Sequence, residues 1–233
     1  MRDQRNTLLL MKIYALSGLG ADERAFQKLK LKGEFIPIKW LEPKKNESLK
    51  SYAHRLGEQI DTSEDFVLLG LSFGGMLASE LNKTLKPKLT ILLSTASTKS
   101  ELPSYFPIVC FLRLPWILPA SWFKPPDWIT NRYFRLKRNP DRVLIKKIMK
   151  DSDPKFLKWA IGAMMKWDNV TVPENVLRIH GANDPVLPNR KLPETITIGK
   201  GHLIIFDQAN RISEIVNERV DQLNSKSQIN LNS

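Results

Sequence analysis

Short, nearly continuous apolar runs alternate with longer amphipathic stretches along most of the chain. Apolar runs of this kind are typical of strands that are covered on both faces of a sheet. The pattern predicts six strands, at 12–17, 35–40, 66–71, 89–94, 176–180 and 195–198. Helical periodicity predicts helices at 23–31, 48–60, 73–85 and 203–223. Strands that alternate with helices favour right-handed βαβ connections, so we expect an α/β fold with a mostly parallel six-stranded sheet flanked by helices.

The alternation stops between residues 98 and 170. Prolines and aromatic side chains crowd the first part of this segment, and helical patterns return at 141–150 and 154–166. The segment is therefore predicted to be an inserted helical cap. The other boundaries follow from it, namely a core formed by 11–97 and 171–223 and tails at 1–10 and 224–233.

Composition narrows the class of protein. A chain of 233 residues, 42% of them hydrophobic, can bury one sizeable core. Charged residues make up 26%, which excludes a membrane bundle, and no apolar run reaches the length of a membrane span. Cys110 is the single cysteine, so an intramolecular disulfide and a cysteine-rich metal site are excluded. A reducing, cytoplasmic setting is expected.

Positive charge is concentrated in one part of the chain. The formal net charge is +12, and residues 105–150 contain 10 basic and 2 acidic side chains. The same segment is rich in aromatic residues such as Trp116, Trp122 and Phe123. It is compatible with an apolar pocket that has a cationic rim, or with weak adsorption to an anionic membrane surface. Inward-packed aromatic side chains under a solvated basic face are the favoured interpretation for most of these residues, because aromatic clusters more often belong to a core. The sequence has no nucleic-acid-binding motif, so nucleic acid is not an expected partner.

The strongest local signal is Gly70-Leu71-Ser72-Phe73-Gly74, at the junction of a predicted strand and a predicted helix. A G-x-S-x-G turn in this context is typical of a nucleophile elbow, in which a strained serine projects its hydroxyl outward. An ordinary glycine turn would contain the same residues, so the interpretation needs partners elsewhere in the chain.

A serine hydroxyl needs a base, and the chain has 3 histidines. His54 falls inside a predicted helix and His180 ends a predicted strand, so we interpret them as a surface and a structural residue. His202 follows the last predicted strand, at the carboxyl edge of the sheet where sites of parallel sheets gather. Asp184 follows strand 176–180 at the same edge and is the candidate that orients His202. A turn-forming aspartate is the simpler alternative for Asp184.

Backbone donors for an oxyanion are expected in the loop Ser17-Gly18-Leu19-Gly20, after the first predicted strand. The N–H groups of Leu19 and Phe73 are the candidates. A simple glycine turn is the alternative. A phosphate-binding loop is disfavoured, because neither a G-x-G-x-x-G spacing nor a following Lys-Ser/Thr pair occurs.

The loop at 17–20, the elbow at 70–74, Asp184 and His202 occur in an order that resembles the α/β-hydrolase family. The resemblance is to a small single-domain serine hydrolase with a helical cap, and it covers the chain apart from its tails. The chain differs from many members in a reduced amino-terminal end of the sheet. It also has Ser17 where many members have histidine.

The resemblance implies a catalytic triad of Ser72, His202 and Asp184, with an oxyanion hole formed by the N–H groups of Leu19 and Phe73. It implies hydrolysis of a carboxylic ester or thioester with an apolar acyl group, through an acyl-enzyme. A small-molecule acyl substrate is then the partner, and neither a metal nor an organic cofactor is expected. The same fold also supports lactonases, C–C hydrolases, cofactor-free lyases and non-catalytic binding proteins, and these stay open.

Overall fold

The computed structural model describes residues 11–112, 117–124, 139–189 and 194–231. One sheet contains six strands: β1 (Lys12–Leu16), β2 (Glu34–Pro37), β3 (Phe66–Leu71), β4 (Leu89–Leu93), β5 (Val176–Ala182) and β6 (Thr195–Lys200). The strand order is β2-β1-β3-β4-β5-β6, and every neighbouring pair is parallel. The prediction of a parallel six-stranded sheet is therefore confirmed.

Helices flank this sheet on both sides. They are α1 (Leu49–Gly57), α2 (Phe73–Leu85), α3 (Phe106–Phe111), α4 (Asn139–Asp151), α5 (Pro154–Met165), α6 (Ile204–Asp207) and α7 (Ala209–Leu231). Short 3-10 helices occur at Glu23–Phe26, Lys99–Glu101 and Ala120–Phe123. Helices α3 to α5 belong to the segment 98–170 between β4 and β5, which we call the insertion.

The helix predicted at 23–31 is wrong in its length, because the structure has only the 3-10 turn Glu23–Phe26. The backbone N–H of Lys30 donates to the hydroxyl of Ser213 at 2.9 Å, and that of Lys32 donates to the side-chain oxygen of Asn217 at 2.7 Å. These donors therefore bind α7 instead of carbonyl groups within a helix, and the amphipathic pattern comes from packing against α7.

The single helix predicted at 203–223 is also wrong in its bounds. Gln208 leaves helical geometry and separates α6 from α7. Helix α7 then continues to Leu231, so most of the predicted carboxyl-terminal tail is helical. Ile212, Val216 and Val220 are buried at intervals of four and hold one stripe of α7 against the sheet.

Hydrophobic layers cover both faces of the sheet. Leu68 of β3 packs in the layer of α1, α2 and α5, whereas its neighbours Val67 and Leu69 pack in the layer of α6 and α7. Every residue of β3 and β4 is buried, which explains why these strands are continuous apolar runs in the sequence. Because the strands are parallel, the loops that follow β1, β3, β5 and β6 meet at one edge of the sheet.

Among the described residues, no helix combines the length and the apolar character that crossing a bilayer requires.

Candidate active site

Ser72 lies in the tight turn between β3 and α2. Its backbone has φ 51° and ψ −117°, a conformation that L residues rarely adopt and that costs about 1–3 kcal/mol. A Cβ atom on Gly70 would lie 2.6 Å from the carbonyl oxygen of Gly74. One on Gly74 would overlap the carbonyl oxygens of Leu16 and Ser17. Both positions therefore require glycine, as the elbow motif demands.

Neighbouring backbone and side chains hold the strained turn in place. The N–H of Ser72 donates to the carbonyl of Leu93 at 2.9 Å, and the hydroxyl of Thr95 donates to the carbonyl of Ser72 at 2.5 Å. Both partners come from the end of β4. The sheet itself thus fixes the direction in which the Ser72 hydroxyl points.

His202 lies against Ser72, although 130 residues separate them. Its Nε2 is 2.8 Å from Ser72 Oγ, and its Nδ1 is 2.7 Å from Asp184 Oδ2. A carboxylate only accepts, so Nδ1 carries the hydrogen and Nε2 is left to accept from the serine hydroxyl. Gly201 has a positive φ of 84° and donates its N–H to the carbonyl of Ala182 at 3.0 Å, which fixes the loop that carries His202.

Asp184 is buried and accepts four N–H groups. Its Oδ1 accepts from the backbone of Val186 at 2.8 Å and of Leu187 at 3.0 Å, and its Oδ2 faces His180 and His202. Burial by itself would raise the pKa of this carboxyl, but the hydrogen bonds from His180 and His202 outweigh burial and hold the pKa well below its ordinary value. Asp184 is therefore ionised at neutral pH, and its negative charge faces the imidazole of His202.

His180 lies beside Asp184, a placement that the sequence pattern did not predict. It was interpreted as structural, and its Nε2 lies 3.1 Å from Asp184 Oδ2 and 2.9 Å from the carbonyl oxygen of Leu187. Because a carbonyl only accepts, Nε2 carries the hydrogen and shares it between these two oxygens. The four-residue spacing between His180 and Asp184 was the available signal. The third histidine, His54, is exposed on α1, as predicted.

The loop at 17–20 lies directly beside the elbow. A Cβ atom on Gly18 would be 3.5 Å from Ser72 Cβ. The hydroxyl of Ser17 and the indole Nε1 of Trp40 both donate to the carbonyl of Ala21 at 2.8 Å, so two side chains close the loop on itself. Ser17, the residue at which this chain differs from many members of the family it resembles, thus has a defined role in loop shape.

An apolar cavity of about 310 Å³ opens onto Ser72 and His202. Leu19 and Phe73, the predicted oxyanion donors, both line it. The first N–H groups of a helix have no acceptor within that helix, which leaves the N–H of Phe73 at the start of α2 for a ligand. The direction of the two N–H groups toward a bound oxyanion stays a prediction.

The insertion provides much of the cavity wall. Its lining residues are Tyr105, Phe106, Phe123, Ile145, Met149, Leu157, Ile161 and Met164. Among the described lining residues, none is Asp, Glu, Lys or Arg. The aromatic content of the insertion signalled an apolar environment, but periodicity did not indicate which of its side chains turn toward Ser72.

Neither a protein-family model nor a curated protein sequence matches this chain. Solved structures do resemble it. An esterase from Exiguobacterium antarcticum superposes with a TM-score of 0.69 at 17% identity, covering 91% of this chain and 92% of the esterase. The enol-lactonase from Burkholderia xenovorans LB400 gives 0.70 at 16% identity, with 90% of each chain covered. A thermophilic esterase from Thermogutta terrifontis gives 0.66 at 17% identity, with 92% and 90% covered.

These likenesses extend over nearly the whole length of each chain, and they agree with the parallel strand order and the strand–Ser72–helix turn described above. The chain therefore has the α/β-hydrolase fold.

Proposed function

We propose that this protein is a serine hydrolase that cleaves an ester or thioester of an apolar acyl group through a covalent acyl-enzyme. The observation that carries the proposal is the pair of short contacts that joins Ser72 Oγ to His202 Nε2 and His202 Nδ1 to Asp184 Oδ2. Such an alignment turns a weak alcohol into a nucleophile. In this chain it opens into a cavity large enough for a small ligand.

In the proposed first step, Ser72 Oγ bonds to the acyl carbon while its proton passes to His202 Nε2. The carbonyl oxygen becomes an anion, which the N–H groups of Leu19 and Phe73 stabilise. His202 then gives the proton to the leaving oxygen or sulfur as the bond to the acyl carbon breaks. A water molecule releases the acyl group from Ser72 by the same steps, with His202 again accepting and returning the proton.

Asp184 has two roles in this scheme. It fixes the Nδ1–H tautomer of His202, which leaves Nε2 free to act as the base, and its negative charge stabilises the imidazolium that forms in each step. The lowered pKa of Asp184 keeps that charge in place through the neutral range.

The cavity supports an apolar acyl group in the substrate. The described lining contains no Asp, Glu, Lys or Arg, so it stabilises hydrocarbon and provides no permanently charged partner for a charged acyl chain. We propose further that the insertion acts as a cap, because eight of its side chains form one wall of this cavity.

A lactone is a second candidate substrate. One of the structures that this chain resembles is an enol-lactonase, and a lactone is an ester whose leaving alcohol stays attached to the acyl product. The same serine chemistry would open the ring, so lactones belong in any substrate panel.

The test is hydrolysis of acetyl, butyryl, octanoyl and dodecanoyl esters and thioesters, with a lactone series alongside. We expect the wild type to prefer longer acyl groups than acetyl, and Ser72→Ala to lower kcat/KM by about a thousandfold or more. A fluorophosphonate probe should label the wild type and not Ser72→Ala, because only an activated serine reacts.

Ser94→Ala is the matched control. Ser94 is buried at the end of β4 close to the elbow, its φ is also positive, and its hydroxyl has no partner among the described residues. It should retain both hydrolysis and labelling. Activity of Ser72→Ala at the wild-type level, or an unlabelled wild type, would refute the proposal and leave a non-catalytic binding protein as the better explanation.

A further inference from the structure

Several large apolar side chains of the insertion point into solvent. Phe111 is 86% exposed, and Ile117 and Trp122 are each 70% exposed. Tyr105, Ile108 and Leu112 are more than half exposed and follow each other at helical spacings of three and four along α3 and its flanks. We call these six residues the outer apolar face. Large exposed groups of apolar side chains often mark the site where a protein binds a partner or a membrane.

The outer apolar face and a basic groove both adjoin helix α5. Helix α3 and the 3-10 helix Ala120–Phe123 both pack against α5. Helix α5 and the start of α1 also line a groove of about 650 Å³, which Ala120 of the 3-10 helix borders. The groove is lined by four lysines, which are Lys50, Lys155, Lys158 and Lys166.

Among the described residues that line this groove, lysines outnumber acidic side chains by four to two. Its acidic lining residues are Glu47 and Asp168, and the carboxylate of Glu47 is already paired with Arg55 at 2.8 Å. Lys158 donates to the carbonyl oxygen of Leu118 at 2.7 Å, which places one ammonium group at the segment that links Ile117 to the 3-10 helix. Exposed apolar side chains and cationic side chains therefore occur together on this side of the molecule.

The outer apolar face also adjoins the active-site cavity. Tyr105 belongs to both, because its side chain is exposed and lines the cavity. Phe123 lines the cavity, while the preceding residue, Trp122, points outward. The exposed side chains thus lie next to the wall of the cavity that the insertion forms.

We propose that the outer apolar face docks on an anionic lipid surface. Its aromatic and aliphatic side chains enter the boundary between headgroups and acyl chains, and the lysines of the groove contact the phosphates. An apolar acyl substrate dissolved in the bilayer would then enter the cavity beside Tyr105. Docking itself does not depend on the proposed hydrolase activity.

Charge favours lipid over the other occupants. A second copy of this chain would bring together two molecules that each carry +12, and this repulsion opposes self-association. Nucleic acid would use the lysines but would leave Phe111, Ile117 and Trp122 exposed to water. An anionic bilayer is the surface that satisfies both the apolar and the cationic groups.

Co-sedimentation with vesicles tests the docking. Wild-type protein is mixed with vesicles of phosphatidylcholine alone or with added phosphatidylglycerol. We expect binding to the anionic vesicles at low salt, with at least tenfold weaker binding to phosphatidylcholine and a further loss as salt rises. The double variant Phe111→Ser/Trp122→Ser should bind at least tenfold more weakly, and Lys50→Gln/Lys155→Gln about fivefold more weakly for each lysine.

Two matched controls separate docking from general stickiness. Val170→Ser removes a side chain that is 82% exposed outside the outer apolar face. Lys32→Gln removes a lysine just before β2, at the opposite edge of the sheet from the site. Both should bind vesicles like the wild type.

A failure of the docking proposal can be distinguished from a failure of the proposed hydrolase function. Hydrolysis of a water-soluble short-chain ester by Phe111→Ser/Trp122→Ser should equal that of the wild type, because neither residue lines the cavity. An active wild type that ignores anionic vesicles, or binding that Phe111→Ser/Trp122→Ser leaves unchanged, overturns the docking proposal alone. Size-exclusion chromatography without vesicles tests self-association. A dimeric wild type and a monomeric Phe111→Ser/Trp122→Ser variant would overturn the docking proposal in favour of self-association.

Discussion

At the residue scale, the carboxylate of Asp184 is the most tightly held group of the site. Its Oδ2 accepts from His202 and also from His180, and the hydrogen on His180 Nε2 is fixed in place by the carbonyl of Leu187. Hydrogen bonds to a charged group contribute about 1.5–3 kcal/mol each. His180 is therefore expected to act through Asp184 as a positioning residue.

His180→Phe tests this role. It removes the donor, so we expect kcat/KM to fall by about tenfold to a hundredfold. The lowered pKa of Asp184 contributes stability that is present above the ordinary pKa of a carboxyl and is lost as pH falls through the lowered value. Part of this contribution is missing in His180→Phe. The gap in unfolding free energy between wild type and variant should therefore be largest near neutral pH and shrink in acid.

His180→Gln is the control, because its amide N–H can replace the imidazole N–H. It should recover most of the activity. Two results together would mean that His180 merely fills space. The difference in unfolding free energy between wild type and His180→Phe would stay constant with pH, and His180→Gln would not recover activity.

Residues whose chemistry follows from their place in the chain were predictable. Ser72, Asp184 and His202 each follow a strand, and parallel strands deliver them to one edge, so spacing and residue type were sufficient to bring them together. His180 was not recognised, because its role depends on the turn at 181–187, which returns Asp184 and the carbonyl of Leu187 to the same imidazole. The pattern of apolar positions in the sequence does not indicate the conformation of this turn.

At the element scale, α1 supports the loop beside the elbow. Tyr52 is buried on α1, where its hydroxyl donates to the carbonyl of Leu41 at 2.9 Å and accepts from the N–H of Leu41 at 3.1 Å. Trp40, the residue before Leu41, donates to the carbonyl of Ala21. The phenol of Tyr52 thus anchors the segment that closes the loop at 17–20.

The pH dependence of the unfolding free energy of Tyr52→Phe, compared with that of the wild type, should reveal this role of the phenol. Burial raises the pKa of Tyr52 to about 12 from an ordinary value of 10.0. The raised pKa contributes stability that is complete below the ordinary value and is lost as pH rises toward 12. Between about pH 9 and pH 11, the wild type should lose about 1 kcal/mol more unfolding free energy than Tyr52→Phe. At neutral pH, the variant should be about 1–2 kcal/mol less stable.

Urea unfolding at a series of pH values measures both effects. Parallel pH profiles for wild type and Tyr52→Phe would show that folding does not raise the pKa of this phenol, and would contradict the expected support.

Elements with a strong hydrophobic period were predictable, and those set by tertiary contacts were not. All six strands and α2 follow from their runs. The predicted helix at 23–31 failed because Lys30 and Lys32 direct their N–H groups to α7. In the insertion, prolines interrupt periodicity, so its helices α4 and α5 were visible but its contacts with the cavity were not.

At the scale of the whole molecule, both ends of the insertion meet at one buried ion pair. Glu101 lies where the chain leaves β4, and its carboxylate pairs with the guanidinium of Arg178 in β5. The N–H of Ser97 and the hydroxyl of Thr98 also donate to Glu101, at 2.9 and 3.0 Å. Asn169, at the far end of the insertion, donates to the carbonyl of Ser97 at 2.6 Å. This network fixes the insertion to the sheet at the point where it departs and returns.

A double-mutant cycle measures how strongly this junction holds. Glu101→Leu leaves the Arg178 charge buried without its partner, so we expect a loss of about 3–5 kcal/mol in unfolding free energy. Glu101→Leu/Arg178→Leu removes both charges, and its loss should be smaller than the sum of the single losses by at least about 2 kcal/mol. The single variant should also be cut faster within the insertion by a protease, because the junction no longer restrains it.

The exposed pair Arg211–Glu214 on α7 provides the matched control. Its two side chains are more than half exposed, so the same cycle with leucine should give a coupling below about 1 kcal/mol. Burial is the property that distinguishes the two pairs. An equal coupling in both cycles, with unchanged proteolysis of the insertion, would show that packing rather than the Glu101–Arg178 pair holds the insertion above Ser72.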